Sequence, residues 1–379
     1  MKKIAYAIAI FSIFFSTAPV MAAPQLGASC KQEGAIAHID GKVLICARVG
    51  KVLKYVNGDG QVGLGPTVKA DQNVDPTVAK AFATYDHAAC KGAHPNFSAS
   101  YLVSDTYSQT MLVKQKALFE QAMSCYSRYF DHQVNINIAL LTESDYNFLA
   151  SQMINGKPIY DEKQLRWAKF MMDRIGTGKG RFAGSAGWSV TTDSAWVLMI
   201  DSSKSQTPDV HGAAHEFVHI LQSYSRSNNF PFYGDGSTDA DYVNLPTWFW
   251  EGTAELFSYN SISPSAGIFS ANMALARTQA KESPTLNKIA TSSQLISTLK
   301  LVEAPSNQEA NMMNYALGSV ECEYILAKYG YAKYWHLMQG ASIYLDFDEN
   351  LRKNLGISKA DLYAQSAPFV LSQWKASKF

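Results

Sequence analysis

Residues 215–219 read His215-Glu216-Phe217-Val218-His219, and this segment is the strongest structural signal in the chain. Residues four positions apart lie on one face of an α-helix, so both imidazoles reach one metal ion if the segment is helical. Upstream, Thr207 suits the cap of such a helix and Pro208 suits its first turn. The alternative is an amphipathic helix with two core histidines, but the spacing favours a metal site.

A second polar pair lies downstream, in a segment that is otherwise rich in aromatic residues. Residues 245–256 read Leu-Pro-Thr-Trp-Phe-Trp-Glu-Gly-Thr-Ala-Glu-Leu. Pro246 indicates a helix start, and Glu251 and Glu255 then share one face. Burying two carboxylates among aromatic side chains is costly unless they are paired or bind a metal. Because a catalytic zinc site needs a third protein ligand beside His215 and His219, this segment is expected to supply it.

The two segments together resemble the gluzincin metallopeptidases, which include thermolysin and the aminopeptidase N group. The resemblance covers roughly residues 130–335, and its most specific part is 215–255. It implies that Glu251 is the third zinc ligand and that Glu216 is the catalytic base. It also implies that Glu255 hydrogen-bonds a ligand histidine, a contact that fixes the orientation and tautomer of the ring.

A third segment, Asn314-Tyr315-Ala316-Leu317-Gly318, resembles the Y-x-x-G segment of the aminopeptidase group. That resemblance implies that Tyr315 stabilises the transition state, with Gly318 allowing close approach of a helix or of the substrate. The alternative is a core tyrosine. Tyr259, Tyr324 or a further histidine are the other candidates for this role.

His211 precedes His215 by one helical turn and shares its face. It has three possible roles: a substitute metal ligand, a substrate contact, or a surface residue near the helix start. The last two are favoured, because the paired histidines and Glu216 explain the chemistry without it.

The substrate is expected to be a peptide or protein that is cut inside the chain. The aminopeptidase group carries a G-x-M-E-N segment whose acid binds the free amino end of the substrate. Here Gly184-Ser185-Ala186-Gly187-Trp188 lacks that glutamate. In gluzincins an exposed edge strand beside the zinc pairs with the substrate backbone. The strand predicted at Ala195–Ile200 is expected to fill this role.

The first 22 residues predict a signal peptide. Lys2 and Lys3 are followed by the uncharged apolar run Ile4–Phe15 and by small residues at Val20-Met21-Ala22. The run is short for a membrane span, which needs about 20 apolar residues. The expected mature chain is therefore periplasmic or secreted and is not stably inserted in a membrane.

The charge of the mature chain argues against a nucleic-acid partner. Loss of Lys2 and Lys3 with the signal peptide changes the formal net charge from +1 to −1. A nearly neutral chain has no compositional preference for a polyelectrolyte.

The pattern along the chain predicts an α+β fold, because strands are followed by helices. A small β unit with a hairpin at Asp40-Gly41 is expected first, then a linker, and then a catalytic domain with a mixed or antiparallel sheet and a mainly helical end. The predicted bounds are 23–56 for the β unit, 57–75 for the linker and 76–379 for the catalytic domain. Within that domain we expect helical structure over 76–130, strands at Val134–Leu140, Gly187–Val190 and Ala195–Ile200, and mainly helices after 207.

The chain has five cysteines, and export permits disulfides. Pairing of neighbours predicts Cys30–Cys46 and Cys90–Cys125, which leaves Cys322 as a buried free thiol. The alternative is that some or all of the thiols stay reduced.

Taken together, the segments predict an exported zinc metallopeptidase. One alternative is an inactive binding or structural zinc protein that keeps the scaffold. The other is a zinc hydrolase of a non-peptide bond. Peptide hydrolysis is favoured, because Glu216 is not a metal ligand and a purely structural site has no need of it.

Overall fold

The computed structural model of this chain describes most of the region after residue 70 and parts of the region before it. The described residues are 25, 27–31, 36–39, 42–49, 52–57, 71–85, 87, 90, 94–154, 156–178, 182–189, 194–205, 211–227, 245–280, 288–304, 308–341, 343–344 and 346–376. The predicted signal peptide, most of the predicted linker, and the helix-start residues Thr207 and Pro208 lie outside them.

A three-stranded antiparallel sheet forms the N-terminal unit. Its strands are β1 (Ile36–Ile39), β2 (Lys42–Val49) and β3 (Val52–Asn57), in the order β1-β2-β3. Ile39 pairs with Lys42, so two residues connect β1 to β2, as the Asp-Gly signal predicts. The predicted β unit is therefore present, and β3 extends one residue into the predicted linker.

The next part of the chain builds a mixed four-stranded sheet with helices around it. Its elements are α1 (Pro76–Thr84), β4 (Phe97–Val103), α2 (Gln109–Tyr126), β5 (Val134–Thr142), α3 (Tyr146–Ala150), β6 (Met153–Ile154), β7 (Lys157–Pro158), α4 (Glu162–Gly176), β8 (Phe182–Ser189) and β9 (Ser194–Asp201). The strand order is β4-β5-β9-β8, in which β4, β5 and β9 are parallel and β8 is antiparallel to β9.

Two sequence-based expectations for this sheet are wrong. Helical structure was expected over 76–130, and α1 and α2 confirm it for part of this range, but Phe97–Val103 is the strand β4, which pairs with β5 along its whole length. The strand at Ala195–Ile200 was expected to be an exposed edge, yet β9 pairs with β5 on one side and β8 on the other. Its apolar run is buried on both faces, as is typical of a central strand. In the described sheet, β8 is the edge strand next to β9.

The remainder of the described chain is helical, as expected after residue 207. The helices are α5 (Gly212–Ser227), α6 (Thr247–Ile262), α7 (Ala266–Ala280), α8 (Ser292–Leu301), α9 (Gln308–Tyr329), α10 (Tyr331–Gly340), α11 (Phe347–Leu355) and α12 (Lys359–Ala376). Pro246 immediately precedes α6, so the predicted helix start there is confirmed. The structure is mixed α/β, which is compatible with the predicted α+β class.

Helix α6 lies inside the core instead of on its surface. Every residue from Thr247 to Ser261 is buried, including the carboxylates of Glu251 and Glu255. Gly252 of α6 faces Gly318 of α9, and a β-carbon at position 318 would lie 2.9 Å from the carbonyl carbon of Trp248. The two glycines therefore allow the backbones of α6 and α9 to touch, which places polar residues of α6 between α5 and α9.

Two of the predictions for the cysteines are confirmed. Cys90 and Cys125 form a disulfide, and Cys322 is a buried free thiol. The predicted Cys30–Cys46 pairing depends on the side chain of Cys46, which lies outside the described residues. Among the described helices, none has both the length and the apolar character needed to span a bilayer.

Candidate metal centre

Helices α5 and α6 pack side by side and bring three potential metal ligands together. His215 Nε2 and His219 Nε2 lie 3.1 Å apart. Glu251 Oε2 lies 3.4 Å from His215 Nε2 and 3.3 Å from His219 Nε2. The three side chains are buried, and they form a group that can hold a metal ion.

The spacing of these three atoms fits a metal ion. An ion about 2.0–2.1 Å from tetrahedrally arranged nitrogen and oxygen ligands spaces the ligand atoms about 3.3 Å apart. Glu251 Oε2 is buried and has no hydrogen-bond partner among the described residues. A buried carboxylate oxygen without a donor is costly, so a cation facing Oε2 and the two imidazole nitrogens would remove that cost.

The electrostatics of the centre favour a positive charge between the two imidazole nitrogens and Glu251 Oε2. Burial alone would lower the pKa of His215, but Glu251 and Glu255 together raise it to about 10. Burial would raise the pKa of Glu251, yet the attraction of His219 and His215 lowers it to about 2. The carboxylates therefore stabilise positive charge here, whether it is a proton or a metal ion.

Glu255 lies beside the Nδ1 side of the His215 ring, as the resemblance implies. Its Oε1 is 3.3 Å from His215 Nδ1. Burial would raise the pKa of Glu255, but His211 and His215 hold it well below its ordinary value. An ionised carboxylate at this distance favours a proton on Nδ1 and leaves the lone pair of Nε2 for a metal.

His219 has an equivalent partner that the sequence-based reasoning missed. Gln222 Oε1 lies 2.8 Å from His219 Nδ1, and Gln222 Nε2 donates to the backbone oxygen of Trp250 at 3.0 Å. The Trp250 ring stacks on the imidazole of His219 with an interplanar angle of 14°. The available signal was that Gln222 follows His219 by three residues, a spacing that places both on one helix face.

Glu216 is buried, and its carboxylate lies against the edge strand β8. A β-carbon at Gly184 would stand 2.8 Å from Glu216 Cδ. Glu216 Oε2 has no hydrogen-bond partner among the described residues. Burial raises the pKa of Glu216, while the attraction of His215 and His219 opposes the rise. A carboxylate with a raised pKa is a stronger proton acceptor than a free one, as a general base requires.

Tyr315 lies beside the candidate ligands. Its ring stacks on His215 with centroids 5.8 Å apart, and it lies one turn before Gly318, where α9 touches α6. The other two candidate tyrosines contact other residues. Tyr324 contacts Lys328 and the ring of Phe369. Tyr259 stacks on His211.

The structure thus brings all six predicted site residues into one region between α5, α6, α9 and β8. His211 is half-buried and lies outside the group formed by His215, His219 and Glu251, and its Nε2 is 3.3 Å from Glu255 Oε1. With His215 and Glu255 it forms a second group that could hold a metal ion, so the role of a substitute ligand stays open. Comparison of the chain with protein-family models, curated proteins and solved structures found no match.

Proposed function

We propose that this chain is an exported zinc metallopeptidase of the gluzincin type that cuts peptide bonds inside polypeptide chains. The observation that carries the proposal is the triangle of His215 Nε2, His219 Nε2 and Glu251 Oε2, with sides of 3.1 to 3.4 Å. Glu216 interacts electrostatically with all three of these groups and is not part of the triangle.

Zinc is the metal that this donor set fits best. Two imidazoles and one carboxylate form a ligand set of catalytic zinc, and three protein ligands leave one position of a tetrahedron open. Zinc bound here would supply a Lewis acid that polarises the scissile carbonyl and lowers the pKa of water.

The residues around the triangle have separate tasks in this proposal. Glu216 accepts a proton from the attacking water and then donates it to the leaving amine. Tyr315 donates a hydrogen bond to the oxyanion that forms at the carbonyl. The partners of the two imidazoles, Glu255 and Gln222, hold the rings with their Nε2 atoms toward the metal.

The edge strand β8 supplies the binding surface for the substrate backbone. It pairs with β9 on one side, and its Gly184 touches the carboxylate of Glu216. A peptide that adds to the edge of β8 that no described strand covers would therefore run past the catalytic base. Residues 182–189 contain no acidic side chain, so β8 does not provide a carboxylate for a free amino end.

Export is part of the same proposal. The sequence before Ala22 has the features of a signal peptide, and the Cys90–Cys125 disulfide suits an oxidising compartment.

A peptide-library digest tests the proposal. The mature wild-type chain and Glu216→Gln are incubated with the library, and zinc is measured in both proteins. We expect cleavage within peptides by the wild type, and zinc binding without cleavage by the variant, because the amide cannot accept the proton. A wild-type protein that binds zinc but cleaves no peptide would favour a binding protein or a hydrolase of another bond.

A further inference from the structure

Helices α5 and α6 present a row of side chains that continues beyond the metal ligands. Both helices contribute residues at intervals of four, so each set lies on one helix face. Along the row the side chains are His219, Glu251, His215, Glu255, His211 and Tyr259. The proposed catalytic site uses the first four of these residues and leaves the last two without a function.

At the far end of the row, two imidazoles converge on one carboxylate oxygen. Glu255 Oε1 lies 3.3 Å from His215 Nδ1 and 3.3 Å from His211 Nε2. The ring of Tyr259 stacks on His211 with centroids 4.7 Å apart and an interplanar angle of 18°. This stacking limits the rotation of His211 and keeps its Nε2 on the side of Glu255.

The contact with His211 matters because Glu255 is buried. A buried carboxylate is costly unless donors satisfy it, and each donor also restricts where its oxygen can lie. His215 alone would leave Glu255 free to follow movements of the His215 ring. His211, the residue immediately before α5, hydrogen-bonds Oε1 through its Nε2 and so holds this oxygen beside the Nδ1 side of the His215 ring.

We propose that His211 is a positioning residue of the metal centre. It holds Glu255 Oε1 against His215 Nδ1, and this arrangement increases the affinity of the His215–His219–Glu251 group for zinc. In this proposal His211 donates to Glu255 through Nε2 and is not a ligand in the His215–His219–Glu251 group. The inference depends on the proposed zinc site but not on peptide hydrolysis.

The test is the zinc dissociation constant of the mature chain, measured by competition with a chromophoric chelator. The proteins are wild type, His211→Ala, Glu255→Ala and the double variant. Loss of a partner outside the ligand set typically weakens metal binding by about 10–100-fold. We expect roughly tenfold weaker binding for His211→Ala and a larger loss for Glu255→Ala. The double variant should match Glu255→Ala, because His211 acts through that carboxylate.

Two further variants separate positioning from a general loss of structure. His211→Gln keeps an N–H donor and should recover most of the affinity lost in His211→Ala, and it replaces that variant if the alanine protein does not fold. His336 is exposed on α10 and is not one of the residues of the row, so His336→Ala should bind zinc as the wild type does.

The outcomes that overturn the inference differ from those that overturn the proposed function. Wild-type affinity in His211→Ala would show that His211 has no positioning effect, while leaving the zinc site intact. The double variant could also bind zinc more weakly than Glu255→Ala, by the same factor that separates His211→Ala from the wild type. That result would show that His211 acts independently of Glu255, as a direct ligand would. A wild-type protein without zinc affinity would overturn both proposals.

Discussion

The carboxylate of Glu216 lies directly on the backbone of Gly184, where any other residue would carry a side chain. A β-carbon at position 184 would stand 2.8 Å from Cδ and 3.0 Å from Cγ of Glu216. The proposed base on α5 and the proposed substrate-binding edge of β8 therefore meet at one residue. The absence of a side chain at position 184 allows the base to lie beside the path of the substrate.

Replacement of Gly184 by alanine is expected to impair catalysis without removing the metal. The methyl group would displace the Glu216 carboxylate, and a misplacement of about 1 Å can lower turnover about a hundredfold. Zinc content should remain that of the wild type, because the three ligands are untouched. Ser185 points to the opposite face of β8, so Ser185→Ala is the matched control. Turnover within twofold of wild type in Gly184→Ala would show that the contact has no effect on the base.

Tyr315→Phe should lower turnover and leave zinc content and folding unchanged. Only the hydroxyl is removed, and loss of one oxyanion donor typically costs about 10²–10³-fold in turnover. The effect should appear in kcat more than in KM, because the hydrogen bond forms fully only in the transition state. Tyr324→Phe is the control, since Tyr324 contacts Lys328 and Phe369. If Tyr324→Phe lost turnover and Tyr315→Phe did not, the roles would be reversed.

The contact between Gln222 and His219 predicts a third effect, on zinc affinity. Gln222→Ala removes the acceptor for Nδ1–H, so the ring of His219 can rotate and expose either nitrogen to the metal. We expect the zinc dissociation constant to rise about 10–100-fold. Chelator competition measures this value. An unchanged constant would indicate that stacking on Trp250 alone orients the ring.

Local spacing explains which parts of the site were predictable. The four-residue intervals between His215 and His219, and between Glu251 and Glu255, determine shared helix faces in any helix. The resemblance then implied how the two faces combine, and the structure places these side chains together. The contact of Gln222 with Trp250 and that of Gly184 with Glu216 were not predictable in this way, because they depend on how α5 packs against α6 and β8.

The strands were also only partly predictable from local sequence. The apolar run at Ala195–Ile200 indicated a strand correctly, but whether it lies at an edge depends on where Phe182–Ser189 pairs. Phe97–Val103 mixes buried and exposed positions without strict alternation, and its pairing with β5 makes it a strand. Such pairing involves residues distant in sequence, so local periodicity alone does not reveal it.

The absence of acidic residues from β8 predicts how peptide ends affect cleavage. Because 182–189 offers no carboxylate to bind an amino group, a free amino end should give no advantage. Matched peptides with acetylated and free amino ends should therefore be cleaved at equal rates and at the same internal bonds. Rates and cut sites are read by mass spectrometry. A strict requirement for the free amino end would contradict the proposed cleavage inside chains.

The zinc content of the purified mature wild-type chain and of Glu251→Ala, measured side by side by plasma mass spectrometry, tests the metal centre most directly. Three ligands are needed to hold zinc and leave one position open, and Glu251 is the member of the candidate group that α6 supplies. The account predicts about one zinc per chain in the wild type and loss of most of it in Glu251→Ala. A wild-type protein without zinc, or full occupancy in Glu251→Ala, would contradict it.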